Sequence, residues 1–220
     1  MTLVELHDRL LAWAGAAERQ PWLLAARAEH FARVGEPHEE DKGFEARMNG
    51  LLDHYLYDYR PDGLQTTLEL FLRDGAGDLT TDERAEMRDL GRNLHVLLEV
   101  KKIRPGVVDV EDVFTGARHD VVERRALVAL AKGDILEARL LPHGGRLHFS
   151  ASSIYHPREV RRAILQEVKR RTKAAGPGQR PDVEDFLAQL SRMALRLERY
   201  RNVRVESIYD FDSPQGRTAS

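Results

Sequence analysis

Thr2 followed three residues later by Glu5 has the form of a capping box, and behind it Leu3, Leu6, Leu10, Leu11 and Trp13 repeat at helical spacing. The pattern predicts a first helix to about Glu18. Gln20-Pro21 puts proline where a first helical turn tolerates it, and Leu23, Leu24, Ala28 and Phe31 carry a second stripe to about Val34. After the break at Gly35-Glu36-Pro37, the residues Phe44, Met48, Leu51, Leu52, Tyr55 and Leu56 fall on one helical face, the strongest periodic signal in the chain. Arg60-Pro61-Asp62-Gly63 is a turn by residue type, Leu64 to Leu72 reads as a short helix, and Thr80 with Glu83 caps another that reaches about Leu90.

The period then changes. His95 to about Ile103 reads as a buried strand, Val107, Val108, Val110 and Val113 as a second, and His119 to Glu123 as the arm returning from a Thr115-Gly116 turn. Asp134 to Leu141 and Leu147 to Ser150 pair across Gly144-Gly145. Five short strands with tight connections predict a small SH3-like or OB-like barrel, because closing a sheet hides its edges. Helical spacing resumes with Val160, Ile164 and Val168 in a helix over 158–171. Residues 174–180 read as a linker, and Asp182 caps a last helix with Phe186, Leu187, Leu190, Met193, Ala194 and Leu197 on its apolar face to about Tyr200. The expected architecture is α+β: a helical region over 1–92, the β module over 93–153, C-terminal helices over 154–203, and a flexible tail over 204–220.

Composition narrows the chemistry. The 220 residues contain no cysteine, which removes disulfides, thiolate metal sites and a cysteine nucleophile. Helically spaced apolar residues and early acids argue against a signal peptide at the start. No apolar run approaches the roughly 18 to 20 residues of a membrane span, so a cytoplasmic protein is expected. The net charge of −2 hides an asymmetry: residues 1–90 hold 19 acids against 10 bases, whereas residues 157–180 hold 8 bases against 2 acids.

Two stretches, LDHYLYDYRPDGLQTTLELFL from Leu52 to Leu72 and LLEVKKIRPGVVDVEDVFTGARHDVVERRALVALAKGDILEARLLPHGG from Leu97 to Gly145, resemble a set of uncharacterised bacterial proteins. In these, an aromatic-Asp-Tyr turn precedes a β module with a D-[LV]-x-TG hairpin and a later GD-[IL]-[LF]-x-AR. Many members carry a SEC-C tail, a Cys/His zinc-binding motif associated with protein targeting. That tail is absent from this sequence. The resemblance implies a fold and no established activity, and the motif residues Gly116, Gly133, Asp112 and Asp134 read as turn formers.

Candidate chemistry is sparse. His30, His38, Glu39, Glu40, Asp41, Asp53, His54 and Asp58 supply imidazoles and carboxylates, with His54 and Asp58 four apart on one helix face, but no HExxH pattern orders them and no metal or cofactor is expected. Asp53, Tyr55, Tyr57, Asp58, Tyr59 and Arg60 read as a packing junction between the helical and β parts. No G-x-S-x-G elbow surrounds Ser150, Ser152 and Ser153, and no phosphate-cradling glycine motif occurs. The expected role is therefore a non-enzymatic adaptor or regulator that binds protein, with a homodimer through residues 182–200 as one form of it. The alternative is nucleic-acid binding through Arg158, Arg161, Arg162, Lys169, Arg170, Arg171 and Lys173, with Phe149 and Tyr155 as stacking partners.

Overall fold

The computed structural model describes residues 1–123, 130–176, 179, 181–200 and 202–212. The architecture is α+β. Helices α1 (Leu3–Ala14), α2 (Gln20–Val34), α3 (Phe44–Tyr57), α4 (Thr67–Asp74) and α5 (Thr81–Asp89) precede the β module. The capping boxes at Thr2–Glu5 and Thr80–Glu83 both form, and a third at Thr66–Glu69 starts α4 a little later than the apolar pattern alone predicts. Helix α1 ends at Gly15 rather than near Glu18, because residues 17–19 tighten into a single 3-10 turn. Leu6, Leu10, Tyr55, Leu56, Leu68, Phe71, Met87 and Leu90 close the core of this region. The ring of Trp13 meets Phe71 edge-on at 5.6 Å. Gly75 lies against both rings, and an added methyl group there would come within 2.4 Å of Trp13 Nε1.

Strands β1 (Leu94–Arg104), β2 (Val107–Asp112), β3 (Arg118–Val122), β4 (Ile135–His143) and β5 (Arg146–Phe149) form the barrel. The order is β1-β2-β3-β5-β4, with β3 parallel to β5, and β1 closes on β4 from Leu94↔Leu140 to Glu99↔Ile135. Of the two barrels expected, this closure is the OB-like one. Leu98, Val100, Val108, Val110, Val121, Leu136, Ala138 and Leu140 fill its interior. Asp112 accepts bonds from the backbone of Phe114 and the hydroxyl of Thr115, while Gly116 and Gly133 have φ of 72° and 89°, so these motif residues do build turns. A sixth strand, β6 (Ile154–His156), pairs with β4, where the sequence pattern suggested only the approach to a helix.

Strand β4 is buried along Ile135–Leu141 on both faces, by the barrel interior on one side and by helices on the other. Those helices include α6 (Arg161–Ala175), which follows a 3-10 turn at Arg158–Val160, and α7 (Val183–Arg199), capped by Asp182 as expected. Ile164, Val168, Phe186, Leu187, Leu190 and Met193 pack on Leu97 and Ile135 from the outer barrel wall. The apolar face of α7 is thus covered by its own chain. Residues within the expected tail join this core: α8 (Val205–Ile208) buries Ile208, Tyr209 and Phe211, and Tyr209 bonds His156 Nδ1 at 3.0 Å. Within the expected linker, residues 177, 178 and 180 lie outside the described residues, as do residues 213–220 of the expected tail.

Gly75→Ala is expected to destabilise the chain by about 1–3 kcal/mol through overpacking against Trp13 and Phe71. Urea unfolding followed by tryptophan fluorescence measures it, and an unchanged midpoint would refute this packing argument.

Candidate functional site

The basic helix does not form an open cationic strip. Arg158 pairs with Asp134 at 2.6 Å and Arg161 with Glu99 at 2.5 Å, both carboxylates of the barrel. Arg170 and Arg171 share Glu167 on their own helix, and Arg171 also reaches Asp185 of α7 at 3.1 Å. Arg162, Lys169 and Lys173 are exposed and make no ion pair among the described residues. Phe149 is partly buried and packs on the barrel interior, while Tyr155 on β6 is 52% exposed. Four of the seven cations named from the sequence are therefore ion-paired, and of the two rings Tyr155 is the exposed one.

A different set of residues does. Between the outer wall of the barrel and helices α2, α3 and α7 lies a cavity of about 50 Å³, room for a few waters. Barrel residues reach it because β4 alternates: Leu136, Ala138 and Leu140 point inward, so Glu137 and Arg139 point outward into the helical layer. Arg139 forms a two-pronged pair with Asp58 at the C-terminal end of α3, one arm of it 3.1 Å long, and also bonds Asn93. Its guanidinium lies 5.6 Å from the centre of the Tyr57 ring. The turn Tyr57-Asp58-Tyr59 and the Ala138-Arg139 pair, two elements that carried the sequence resemblance, are thus one contact. The expected junction lies between the helical and β parts, and Asp58 holds an arginine across it.

His95 of β1 stands between Glu137, at 3.0 Å, and Glu184 of α7, at 3.3 Å. The hydroxyl of Ser191 donates to the other Glu137 oxygen at 2.7 Å. Burial by itself would lower the pKa of His95, but the two carboxylates override it and push it up to about 9. Glu137 moves the opposite way. Burial would raise it, yet His95 and Ser191 hold it below the usual carboxylate range. Asp58 is held down at about 2 against its own burial by His54 and Arg139. On α2, His30 stacks on His54 at 5.1 Å, and burial together with that neighbour lowers it to about 3, so it is neutral at pH 7. Asp53 accepts the hydroxyl of Ser152 at 2.6 Å, and Arg47 bonds Glu198 at 2.8 Å and the Ser191 carbonyl at 3.2 Å.

Among the described residues, three nitrogens of these side chains have no hydrogen-bond partner: Arg47 Nε, His54 Nε2 and Arg139 Nε. His54 Nε2 approaches Glu29 at 3.5 Å and Arg139 Nε approaches Asp53 at 3.9 Å, distances of electrostatic attraction without a formed bond. No group of three or more described residues is arranged to hold a metal ion. His38, Glu39, Glu40 and Asp41 do not join the cavity, and Asp41 instead accepts from the His38 backbone and from Arg199.

The sequence profile of a family of unknown function, DUF7986, matches residues 5–188, which takes in α1 through the first part of α7 and nearly every residue of the cavity. The chain belongs to that family. No curated protein and no solved structure matches it. Within this DUF7986 chain, sequence reasoning reached His30, Asp53, His54, Asp58 and Ser152 but missed His95, Glu137, Arg139, Glu184, Arg47 and Ser191. The available signal was in Ile135-Leu136-Glu137-Ala138-Arg139-Leu140-Leu141, where two charges stand in an otherwise apolar strand. Gly50 was a second signal: it interrupts α3, and a methyl group there would sit 3.8 Å from His30 Nε2 and 3.9 Å from Ser152, at the cavity.

His95 has a folded-state pKa raised above the unfolded value of about 6.5, so its contribution to stability is complete below that value and is lost as pH rises through about 9. Stability is expected to decline over that window, and His95→Gln is expected to flatten the decline. Chemical unfolding of both proteins at a series of pH values checks this, and parallel profiles would overturn the assignment.

Proposed function

We propose that this protein binds a small polar molecule in the cavity between the barrel and helices α2, α3 and α7. The observation that carries the reading is that charged and polar side chains of the barrel and of three helices, among them Arg47, Asp53, His54, His95, Glu137 and Arg139, converge on that cavity. Concave sites lined by a few convergent polar groups with displaced pKa values are where ligands bind most often. Gly50 supports the reading, since glycine inside a helix costs about 0.8–1.0 kcal/mol relative to alanine and here leaves space at the cavity wall.

The regulatory role expected from the sequence fits this proposal in a specific form. A ligand held by α2, α3, α7 and β4 ties the helical region to the barrel, so occupancy would be read as a change in how those parts hold together. A bacterial setting, as the resemblance implies, and a cytoplasmic one, as expected from the apolar pattern, belong to the same proposal. The nucleic-acid alternative draws less support, because Arg158, Arg161, Arg170 and Arg171 are already paired with carboxylates.

Gly50→Ala is the test. The added methyl meets only ordinary contact distances, so the variant is expected to gain about 0.5–1 kcal/mol of stability while losing cavity space. In a thermal-shift screen of small polar metabolites, compounds that raise the wild-type midpoint should act weakly or not at all on Gly50→Ala. Compounds that act equally on both proteins would place binding elsewhere.

A further inference from the structure

We infer that the ligand of this cavity is a small ammonium cation, held by the carboxylate of Asp53 and the imidazole of His30 over Gly50. The inference rests on the binding role proposed above. The Asp53 side chain is only 7% exposed, yet its partners are incomplete. One oxygen, Oδ2, accepts the hydroxyl of Ser152 at 2.6 Å and lies 3.9 Å from Arg139 Nε, too far for a bond. The other, Oδ1, accepts no hydrogen bond among the described residues, and it is not one of the side-chain atoms that are both unpaired and sealed from solvent. Because Asp53 lines the cavity, the open side of that oxygen is the side a ligand would meet. An ionised carboxylate accepts only, so the partner it lacks is a donor. His30 supplies a second acceptor. Its ring is neutral at pH 7, and a methyl group on Gly50 would sit 3.8 Å from His30 Nε2 and 3.9 Å from Cβ of Ser152, so the imidazole and the Asp53–Ser152 pair border the same small space. One ring nitrogen of a neutral imidazole accepts.

The charges of the walls favour a cation. Arg139 stands between two carboxylates, bonded to Asp58 and 3.9 Å from Asp53, and His95 stands between two more, Glu137 and Glu184. Each of these groups of three carries one positive charge against two negative. Arg47 is balanced by Glu198, and at the rim the exposed Arg33 is balanced by the exposed Glu29. The sum is two negative charges in excess, which a charge on His54 would reduce without cancelling, so the site attracts a cation and repels an anion. No group of three or more described residues is arranged to hold a metal ion. The cation that suits these acceptors is therefore one that brings its own N–H donors and sets them at hydrogen-bond distance from oxygen and nitrogen. A cavity of about 50 Å³ takes ammonium itself or an ammonium with a short alkyl stem, and Val34, Ile154 and Ala188 give that stem an apolar side.

The experiment is an NMR titration of histidine ring resonances at pH 7 and constant ionic strength. The probes are methylammonium, potassium, acetamide and acetate. Methylammonium is expected to give saturable shifts at His30 and at His54, which stacks on it. Acetate is expected to give none, and potassium, a cation without N–H groups, to bind about tenfold more weakly or less. Asp53→Asn keeps the shape of the side chain and removes its charge, and is expected to weaken methylammonium binding about tenfold or more. Should that variant fail to fold, Arg33→Gln at the exposed rim decides the question with the opposite sign: losing a like charge is expected to tighten methylammonium binding about twofold. Binding that is unchanged in Asp53→Asn, or unchanged or weaker in Arg33→Gln, would overturn the ammonium and leave the binding role standing, as would saturable binding of potassium, acetamide or acetate as tight as that of methylammonium. Absence of a saturable shift at either histidine with every probe would overturn both.

Discussion

The pairing of Arg139 with Asp58 is the constraint on which the arrangement of this protein depends. Arg139 sits on a strand buried on both faces, where an unpaired guanidinium would face a desolvation penalty of several kcal/mol. Asp58, a carboxylate delivered from the helical region, supplies the countercharge, and it arrives there because α3 ends one residue earlier, at Tyr57. The ion pair therefore ties the end of α3 to the outer wall of the barrel. The cavity is the space this docking leaves open, between an apolar core on the helical side and another on the side of α6 and α7.

Much of the chain was legible as local structure. Thr2, Thr80 and Asp182 start helices as capping chemistry requires, and the β-branched stretches with their glycine turns form the expected five-stranded barrel. These succeed because caps and turns are decided by residues a few positions apart. The sixth strand was not legible: Ile154-Tyr155-His156 is too short to show a period, and it exists because β4 offers a free edge there. Ile208, Tyr209 and Phe211 escaped notice for a related reason, since a short apolar cluster near a chain end announces burial only when the surface it covers is known.

The site was half legible. Clusters of charge within a few residues, such as His54 with Asp58, stand out in a sequence, whereas His95, Glu137 and Glu184 are brought together across 42 and 89 positions. The basic helix shows a different limit of sequence reading. Its density of arginine suggested a surface for an external anion, but Asp134, Glu99 and Asp185, the carboxylates that neutralise three of its members, lie on other elements. Charge density along a chain describes a surface only after the internal pairs have been subtracted.

Strand β4 hydrogen-bonds to β1, β5 and β6 and carries Glu137 and Arg139 into the cavity. No part of this strand can separate from its neighbours without opening the barrel, so its amide protons would exchange with solvent only through unfolding of the whole module. The cavity's helical walls lack such a lattice: α2 is held chiefly by side chains of α3 and α7. The two sides of the cavity are therefore held differently, Glu137 and Arg139 by a hydrogen-bonded sheet and His30 and Arg33 by helix packing. The molecule has, in effect, an anvil and a plate laid against it, and the division follows from which walls of the cavity are sheet and which are helix.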